Sequence, residues 1–367
     1  MFKSTLSQIC CISLLLVSGV TQAQNSKWKH YDFKNEDRQH IHGVITSTQE
    51  IALFNRLPTS LEASVRQPVW ALGKNSAGLY IDFSTDADSI QVNYQVAGPL
   101  AMPHMPNIGV SGVDLYAKDG RNWQWAYGSY SFKDTISYQF NSINKNAQSK
   151  QYRLYLPLYN TVKNLAISIP ANRKITFSAE PGDPIIVYGT SIAQGACATR
   201  PGLAWTNILG RKLNAPMVNL GFSGNGRLEQ PILDLIAQAK ARIYILDCIP
   251  NLGSLKDYPD EVLDSLLENA VRTLRAKNAK TAIILTEHSS GENGGFLNYL
   301  KNEEYVRSSK VLQRCFNRLN NKYKNLYLLT NKDIGLDLES TVDYAHPNDI
   351  GMMKHAEAYE RIINRIR

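Results

Sequence analysis

This sequence has few of the features that mark nucleic-acid-binding, metal-binding and membrane-spanning proteins. The 40 lysines and arginines outnumber the 32 acidic residues, but they form no run long enough to suggest a nucleic-acid groove. The metal-binding spacings CxxC and HExxH are both absent. After residue 23, no apolar run is long enough to cross a bilayer. We therefore expect a globular protein with no nucleic-acid partner, no metal and no stable membrane anchor.

The most apolar run lies near the N-terminus, from Ile9 to Val20. Lys3 precedes this run, and the small residues Thr21 and Ala23 follow it, which is the pattern of a secretory signal peptide. We predict that residues 1–23 are removed and that the mature protein is periplasmic or extracellular.

Cysteine is also rare, since only Cys197, Cys248 and Cys315 lie outside the predicted signal peptide. An exported protein meets oxidising conditions, in which one disulfide and one free thiol can coexist. A bridge between Cys197 and Cys248 would brace two loops, whereas two buried thiols would pack as small hydrophobic side chains. The sequence leaves both alternatives open.

The pattern of apolar residues divides the remaining chain into two predicted domains. Residues 24–178 contain short runs, rich in aromatic and β-branched residues and bounded by turn formers, which predict an all-β sandwich of the jelly-roll type. The predicted strands include Gly78–Phe83, Ser89–Tyr94, Tyr152–Leu156 and Leu165–Ile169. We place a linker at residues 179–182, where the second domain begins.

In residues 179–367, short apolar runs alternate with helical segments such as Glu261–Arg275 and Glu304–Leu319. This alternation predicts a doubly wound parallel sheet, whose ligands bind beyond the carboxyl ends of the strands. The predicted strands are Pro184–Tyr188, Met217–Leu220, Arg242–Leu246, Thr281–Leu285 and Leu326–Leu329.

Two segments at this edge of the sheet carry the residues of a candidate nucleophile and base. Ser191 follows the first strand, where backbone N–H groups and a helix dipole converge, although a simple helix N-cap would also explain a serine there. Asp343 and His346 lie three residues apart before the last predicted helix. A carboxylate can hold an imidazole in the tautomer of a general base, although a capping aspartate beside a surface histidine has the same spacing.

Two further loops offer hydrogen-bond donors. Gly224 lies in a glycine-rich turn after the second strand, and Asn251 lies in a loop after the third. With the backbone N–H of Ser191, they could bind the oxyanion that forms in acyl transfer. Ordinary turn chemistry is the alternative for each of them. Taken together, the loops contain the groups that acyl transfer requires.

This order of motifs resembles the SGNH (GDSL-type) hydrolases, whose four name residues would correspond to Ser191, Gly224, Asn251 and His346. The segment Gly112–Tyr116 also resembles the Gly-x-Asp-Leu-Tyr marker of an N-terminal domain in one bacterial subgroup. The resemblance implies a flavodoxin-like three-layer hydrolase domain after the sandwich. It also implies a Ser-His-Asp esterase that needs no cofactor and is similar to some carbohydrate deacetylases.

Other residues are weaker candidates for substrate contact. Arg200, His288 and His104 lie on loops that could reach the site, but a structural role or a plain loop position is the favoured explanation for Arg200 and His288. Trp123, Trp125 and Tyr127 alternate as on one face of a strand, and could stack on sugar rings or pack in the core of the sandwich.

The predicted substrate is a small-molecule or polysaccharide ester, and O-deacetylation of a carbohydrate is the favoured reaction. A lipase-like or lysophospholipid esterase is the second hypothesis. A carbohydrate-binding protein with an inactive hydrolase domain is the third, but the presence of Ser191, Asp343 and His346 argues against it.

Overall fold

A computed structural model describes residues 27–45, 50–179, 182–290 and 298–366. The predicted signal peptide and residues 180 and 181 of the predicted linker lie outside the described residues. Within those four ranges, no helix combines the length and the apolar character that a membrane span requires.

The N-terminal half is a sandwich of two antiparallel five-stranded sheets. Alternate residues of each inner strand face the core; in the third strand, Ile90, Val92 and Tyr94 are buried while their neighbours are partly exposed. The strands are β1 (Trp28–Asp32), β2 (Tyr80–Thr85), β3 (Ile90–Val96), β4 (Asp114–Asp119), β5 (Asn122–Ala126), β6 (Ser129–Ser131), β7 (Ile136–Phe140), β8 (Lys150–Tyr155), β9 (Val162–Pro170) and β10 (Ile175–Phe177). Their order is β1-β9-β3-β7-β6 in one sheet and β10-β2-β8-β4-β5 in the other. Two short helices, α1 (Gln67–Gly73) and α2 (Asn107–Val110), lie in the connections.

The C-terminal half contains a parallel sheet of five strands in the order β12-β11-β13-β14-β15, which is the flavodoxin-like order. Its strands are β11 (Ile185–Gly189), β12 (Met217–Gly221), β13 (Ile243–Asp247), β14 (Ala282–Thr286) and β15 (Leu326–Leu329). The helices are α3 (Ser191–Gln194), α4 (Trp205–Leu213), α5 (Gln230–Gln238), α6 (Asp260–Lys277), α7 (Tyr299–Asn320), α8 (Asn331–Ile334) and α9 (Asp349–Ile363). The predicted fold class is confirmed, and the exact domain boundary at residues 178 and 179 stays a prediction.

The parallel sheet is covered on both faces, which explains the continuous apolar runs of its strands. Ile186 and Tyr188 pack into one hydrophobic cluster with α5, α6 and α7. Ile185 and Val187 point to the opposite face, into a second cluster with α4 and α9. The result is a three-layer α/β domain.

Of the two alternatives for Cys197 and Cys248, the structure has the unpaired one, because both residues are buried free thiols. Cys248 belongs to the hydrophobic cluster on the α6 face of the sheet, and Cys197 belongs to the cluster on the α9 face. The sheet lies between the two thiols, so the alternative of two buried, unpaired cysteines describes this structure.

Candidate active site

Ser191 opens helix α3 directly after the tight turn that ends β11. A Cβ added to Gly189 would lie 2.5 Å from the Ala193 side chain, so this turn requires glycine. Thr190 is the N-cap, and its hydroxyl accepts the backbone N–H of Ile192. Ser191 is therefore the first helical residue rather than the cap, and among the described residues nothing accepts its backbone N–H.

A chain of short hydrogen bonds joins Ser191 to His346 and Asp343. The distance from Ser191 Oγ to His346 Nε2 is 2.7 Å, and that from His346 Nδ1 to Asp343 Oδ2 is also 2.7 Å. Because an ionised carboxylate can only accept, the proton lies on Nδ1 and Nε2 is left to accept from the serine hydroxyl. The structure thus brings together the three residues that the sequence nominated.

The carboxylate of Asp343 is held in its ionised form. Partial burial opposes ionisation, but hydrogen bonds from the His346 ring and from the backbone N–H groups of His346 and Ala345 outweigh it. These contacts hold the pKa of Asp343 well below its usual range. Asp343 can therefore accept a hydrogen bond from the Nδ1 N–H of His346 throughout the neutral pH range.

The loop that carries Asp343 and His346 is tied to the segment after α3. Cys197 N donates to Pro347 O at 2.8 Å, and Thr199 makes two hydrogen bonds to the Asp349 carboxylate. These contacts fix the position of His346 relative to Ser191.

The predicted oxyanion donors lie on the two loops that flank Ser191. In the sheet, Gly189 is level with both Gly221 of β12 and Asp247 of β13, so the loops leave the sheet at the same height. Gly224 has a φ of +67°, a conformation that favours glycine. Asn251 accepts the N–H of Gly226 with its side-chain oxygen at 3.0 Å.

This last bond orients the Asn251 amide. Because its oxygen faces Gly226, its Nδ2 group points the other way, and no residue of the described chain accepts a hydrogen bond from Nδ2. The N–H of Gly224 likewise has no acceptor among the described residues. These donors are available to a ligand, as the oxyanion hypothesis requires.

Three side chains that the sequence analysis missed support these loops. Arg56, from the N-terminal half, is buried and donates to the carbonyl oxygens of Asn219 and Gly221 at the end of β12. Arg66 donates to the Asn225 side chain, and Gln194 accepts the N–H of Ser223. No local motif contains these residues, because their partners lie far away in the sequence.

Arg200 makes a structural contact between the two halves of the chain. Its guanidinium donates at 2.8 Å to Asp114 Oδ2 and at 2.8 Å to the Tyr116 hydroxyl. Asp114 also accepts the backbone N–H of Gly202. The Gly-x-Asp-Leu-Tyr marker therefore acts as the contact that holds the loop after the nucleophile against the sandwich.

The two other candidate substrate contacts lie in different environments. His104 is exposed, and its ring centroid lies 6.1 Å from that of His346, so the sandwich domain reaches the candidate base. His288 is buried and stacks on Tyr305 at 3.6 Å between centroids. Burial lowers the pKa of His288 to about 3, so this ring is neutral and packed in the interior.

Asp247 is a buried carboxyl group just before the Asn251 loop, and burial raises its pKa to about 7. In the unfolded chain its pKa returns to about 3.8. Between those two values the folded protein holds a proton that the unfolded chain has lost. The free energy of unfolding therefore falls as the pH rises through this interval, by roughly 4 kcal/mol.

We therefore expect Asp247→Asn to raise the melting temperature more at pH 8 than at pH 5, as measured by calorimetry. Asp234→Asn, on the exposed side of α5, changes the charge equally without burial and serves as the control. Equal gains for Asp247→Asn at the two pH values would contradict the assignment of a protonated, buried Asp247.

Among the described residues, no group of three or more His, Cys, Asp or Glu side chains could hold a metal ion. The parallel sheet and the Ser-His-Asp arrangement at its carboxyl edge define the class of the protein as an α/β serine hydrolase.

The comparisons with known proteins give the family. Residues 182–364 match the GDSL-like lipase/acylhydrolase family, and residues 28–175 match the GxDLY domain found at the N-terminus of SGNH-type esterases. The chain belongs to the GDSL-like lipase/acylhydrolase family, and within it to the esterases of SGNH type.

Three solved structures illustrate the relationship. A protein of Bacteroides ovatus ATCC 8483 described as a GDSL-like lipase is 31% identical over 92% of this chain and 98% of that chain, with a TM-score of 0.82. A salicylyl-acyltransferase from a tetracycline biosynthetic pathway is 19% identical over 85% and 89%, with a TM-score of 0.69. A family two carbohydrate esterase from Clostridium thermocellum is 12% identical over 79% and 92%, with a TM-score of 0.53. The acyltransferase and the carbohydrate esterase share the fold of this chain. No curated protein matches the chain in sequence.

Proposed function

We propose that this protein is an exported esterase that removes small acyl groups, chiefly acetyl, from a carbohydrate, with Ser191 as its nucleophile. The observation that carries the catalytic part is the chain of 2.7 Å hydrogen bonds from Ser191 through His346 to Asp343. The choice of a carbohydrate ester as substrate and the export of the protein rest on other observations.

In the first half of the reaction, His346 Nε2 takes the proton of Ser191 Oγ as the oxygen attacks the ester carbonyl. Asp343 keeps Nδ1 protonated and stabilises the imidazolium ion that forms. The N–H groups of Ser191 and Gly224, together with the Asn251 amide, stabilise the negative charge on the carbonyl oxygen. His346 then gives its proton to the leaving alcohol, and the acyl group stays on Ser191.

In the second half, His346 takes a proton from the water that attacks the acyl carbon, and returns it to Ser191 Oγ as the bond to the acyl group breaks and the carboxylic acid leaves. The His346 side chain is 25% exposed and that of Asp343 is 49% exposed, so water has direct access. This access favours hydrolysis over transfer of the acyl group to another acceptor.

Three observations support a carbohydrate ester as the substrate. The side chains of His346 and Asp343 open to solvent, which suits a small acyl group on a large, soluble alcohol. The family two carbohydrate esterase of Clostridium thermocellum has the same fold. The sandwich domain also places His104 beside the catalytic histidine, so it borders the site.

A lipase-like activity is the second candidate, because the 31% identical Bacteroides ovatus protein is described as a GDSL-like lipase. A chain-length series of p-nitrophenyl esters distinguishes the two. We expect kcat/KM to be highest for the acetate and to fall steadily through butyrate to octanoate. A maximum at octanoate would favour the lipase-like reaction.

Acetate release from a panel of acetylated glycans tests the substrate class directly. The panel contains acetylated xylan, acetylated glucomannan and acetylated pectin, and acetate is measured enzymatically with Ser191→Ala as the blank. Release from at least one glycan is the expected result. An enzyme that hydrolyses p-nitrophenyl acetate but releases nothing from the panel would contradict the proposed substrate.

Asn251 tests the oxyanion hypothesis. We expect Asn251→Ala to lower kcat for p-nitrophenyl acetate about 100-fold with little change in KM, because the lost donor acts mainly in the transition state. Asn251→Asp keeps an oxygen that can accept the Gly226 N–H, so it separates loss of the donor from loss of loop structure. Wild-type kcat in both variants would remove Asn251 from the mechanism.

Export is proposed from the N-terminal sequence alone, where Lys3 precedes the apolar run Ile9–Val20. Expression of the full chain in a Gram-negative host, followed by N-terminal sequencing of the periplasmic fraction, tests it. A mature protein that begins at Gln24 is expected, and an uncleaved cytoplasmic product would contradict the proposal.

A further inference from the structure

Large aromatic side chains are exposed at few places on the described surface. Among the described residues, Trp125, Tyr127, Tyr130 and Tyr299 are 46%, 70%, 53% and 67% exposed, respectively. The first three lie together on the sandwich, while Tyr299 lies apart on α7. The packing of Trp125 and Tyr127 in the core, one of the two sequence-based alternatives, is therefore wrong. Clusters of this kind mark interaction sites on soluble proteins.

Trp125, Tyr127 and Tyr130 line a groove of about 290 Å³, here called the aromatic groove. Its other lining residues include Val113 and Phe140 of the sandwich and Ile108 beside them; the hydrolase half contributes Thr199 and Arg200. The aromatic groove is thus formed by both halves of the chain, which is a common position for ligand sites.

The aromatic groove carries no uncompensated charge. Arg200 and Asp114 both line it, but they neutralise one another in an ion pair at 2.8 Å. The Trp125 indole N–H donates to the same Asp114 carboxylate at 3.0 Å, which fixes the ring in place. The Arg200 guanidinium also lies over the Trp125 ring, 4.5 Å from its centroid. An aromatic surface with no net charge favours a neutral ligand with apolar faces.

The lining of the aromatic groove is connected to the catalytic loop. Thr199, one of its lining residues, hydrogen-bonds Asp349, three residues after His346. On the sandwich side, the lining residue Ile108 lies four residues after His104 in the sequence. The ring centroid of His104 lies 6.1 Å from that of His346. The aromatic groove is therefore joined from both halves of the chain to the loop that carries His346.

We propose that the aromatic groove binds the neutral polysaccharide that carries the scissile ester, and so presents the ester to Ser191. This inference rests on the proposed function, since it names the binding site of that substrate class. The apolar C–H face of a pyranose ring packs on an aromatic ring, and the tyrosine hydroxyls remain at the edge to meet the sugar hydroxyls. An acyl chain would instead favour a deep aliphatic pocket, and a protein partner would need a far larger interface of about 800 Å² per side.

The double variant Tyr127→Ala/Tyr130→Ala tests this proposal, with Tyr299→Ala as the matched control for loss of exposed tyrosine. For the acetylated glycan that the wild type hydrolyses best, we expect the double variant to raise KM about tenfold, equivalent to about 1.4 kcal/mol. Tyr299→Ala should leave this KM unchanged, and kcat/KM for p-nitrophenyl acetate should stay within about twofold of the wild type in both variants. Tyr127→Phe/Tyr130→Phe, which keeps the rings, should restore most of the affinity.

Binding is measured independently by electrophoresis in native gels that contain xylan, glucomannan or mixed-linkage β-glucan. At least one glycan should retard the wild type and Tyr299→Ala, but not the double alanine variant. Equal KM values and equal retardation for all variants would overturn the aromatic groove as a glycan site while leaving esterase activity on glycans intact. A wild type that no glycan retards would overturn it as well. If the proposed function itself is wrong, the result is different, because the wild type then releases no acetate from any glycan.

Discussion

Replacing Ser191 by alanine should leave a folded protein whose kcat/KM for p-nitrophenyl acetate is lower by about 10⁴-fold or more. The hydroxyl is the only group lost, and its oxygen lies 2.7 Å from His346 Nε2. No other hydroxyl in the described structure bonds this imidazole, so we expect no substitute nucleophile. Activity is measured with excess enzyme, because residual hydrolysis will be close to the uncatalysed rate.

The fold of this variant is checked by circular dichroism and by its melting temperature. Ser191 is buried, but alanine is smaller and favours helices, so the first turn of α3 should form unchanged. Thr190→Ala is a useful comparison, because it removes the N-cap hydroxyl next to the nucleophile but leaves Ser191 in place. If Ser191→Ala kept more than a tenth of the wild-type activity, the assigned nucleophile would be wrong.

Asp343→Asn should lower kcat about 100- to 1000-fold, and His346→Ala should lower it further, by about 10⁴-fold or more. An asparagine amide cannot hold Nδ1 in its protonated, donating form as a carboxylate does. The loss of activity in Asp343→Asn is expected to be partial because the Asp343 side chain is 49% exposed. Water can therefore take its place and accept the hydrogen bond from the Nδ1 N–H of His346. The two variants are compared by steady-state kinetics on p-nitrophenyl acetate.

Asp337→Asn is the control for this comparison. Asp337 is also exposed near the catalytic loop, but it pairs with Lys354 and Ser340 rather than with His346. Its substitution changes the charge without altering the base, and wild-type kcat is expected. An equal and complete loss in Asp343→Asn and His346→Ala would show that water does not substitute for the carboxylate.

The sequence predicted the hydrolase half well, because its signals are local. A strand buried on both faces is a continuous apolar run, and the ends of the five predicted strands match those of β11 to β15 to within one residue. Parallel strands carry their loops to one edge, so residues after three different strands could be expected to meet. The approach of His346 to Ser191 follows from this topology.

The sequence predicted less where a contact joins distant segments. Arg56 and the end of β12 are separated by more than 160 residues, and no pattern near Arg56 signals its buried role. Arg200 shows the same limit, because only the folded chain reveals that its partner is Asp114 of the marker segment. Cys197 and Cys248 lie on loops at one edge of the sheet, but their side chains point to opposite faces.

The most direct test of Ser191 as the nucleophile is covalent labelling with a fluorophosphonate, followed by peptide mass spectrometry. The proposed mechanism predicts a single adduct on the peptide that contains Ser191, with loss of esterase activity in proportion to labelling. His346→Ala should label far more slowly, because the serine then lacks its base. An active enzyme that stays unlabelled, or that carries the adduct on a different serine, would contradict the assignment.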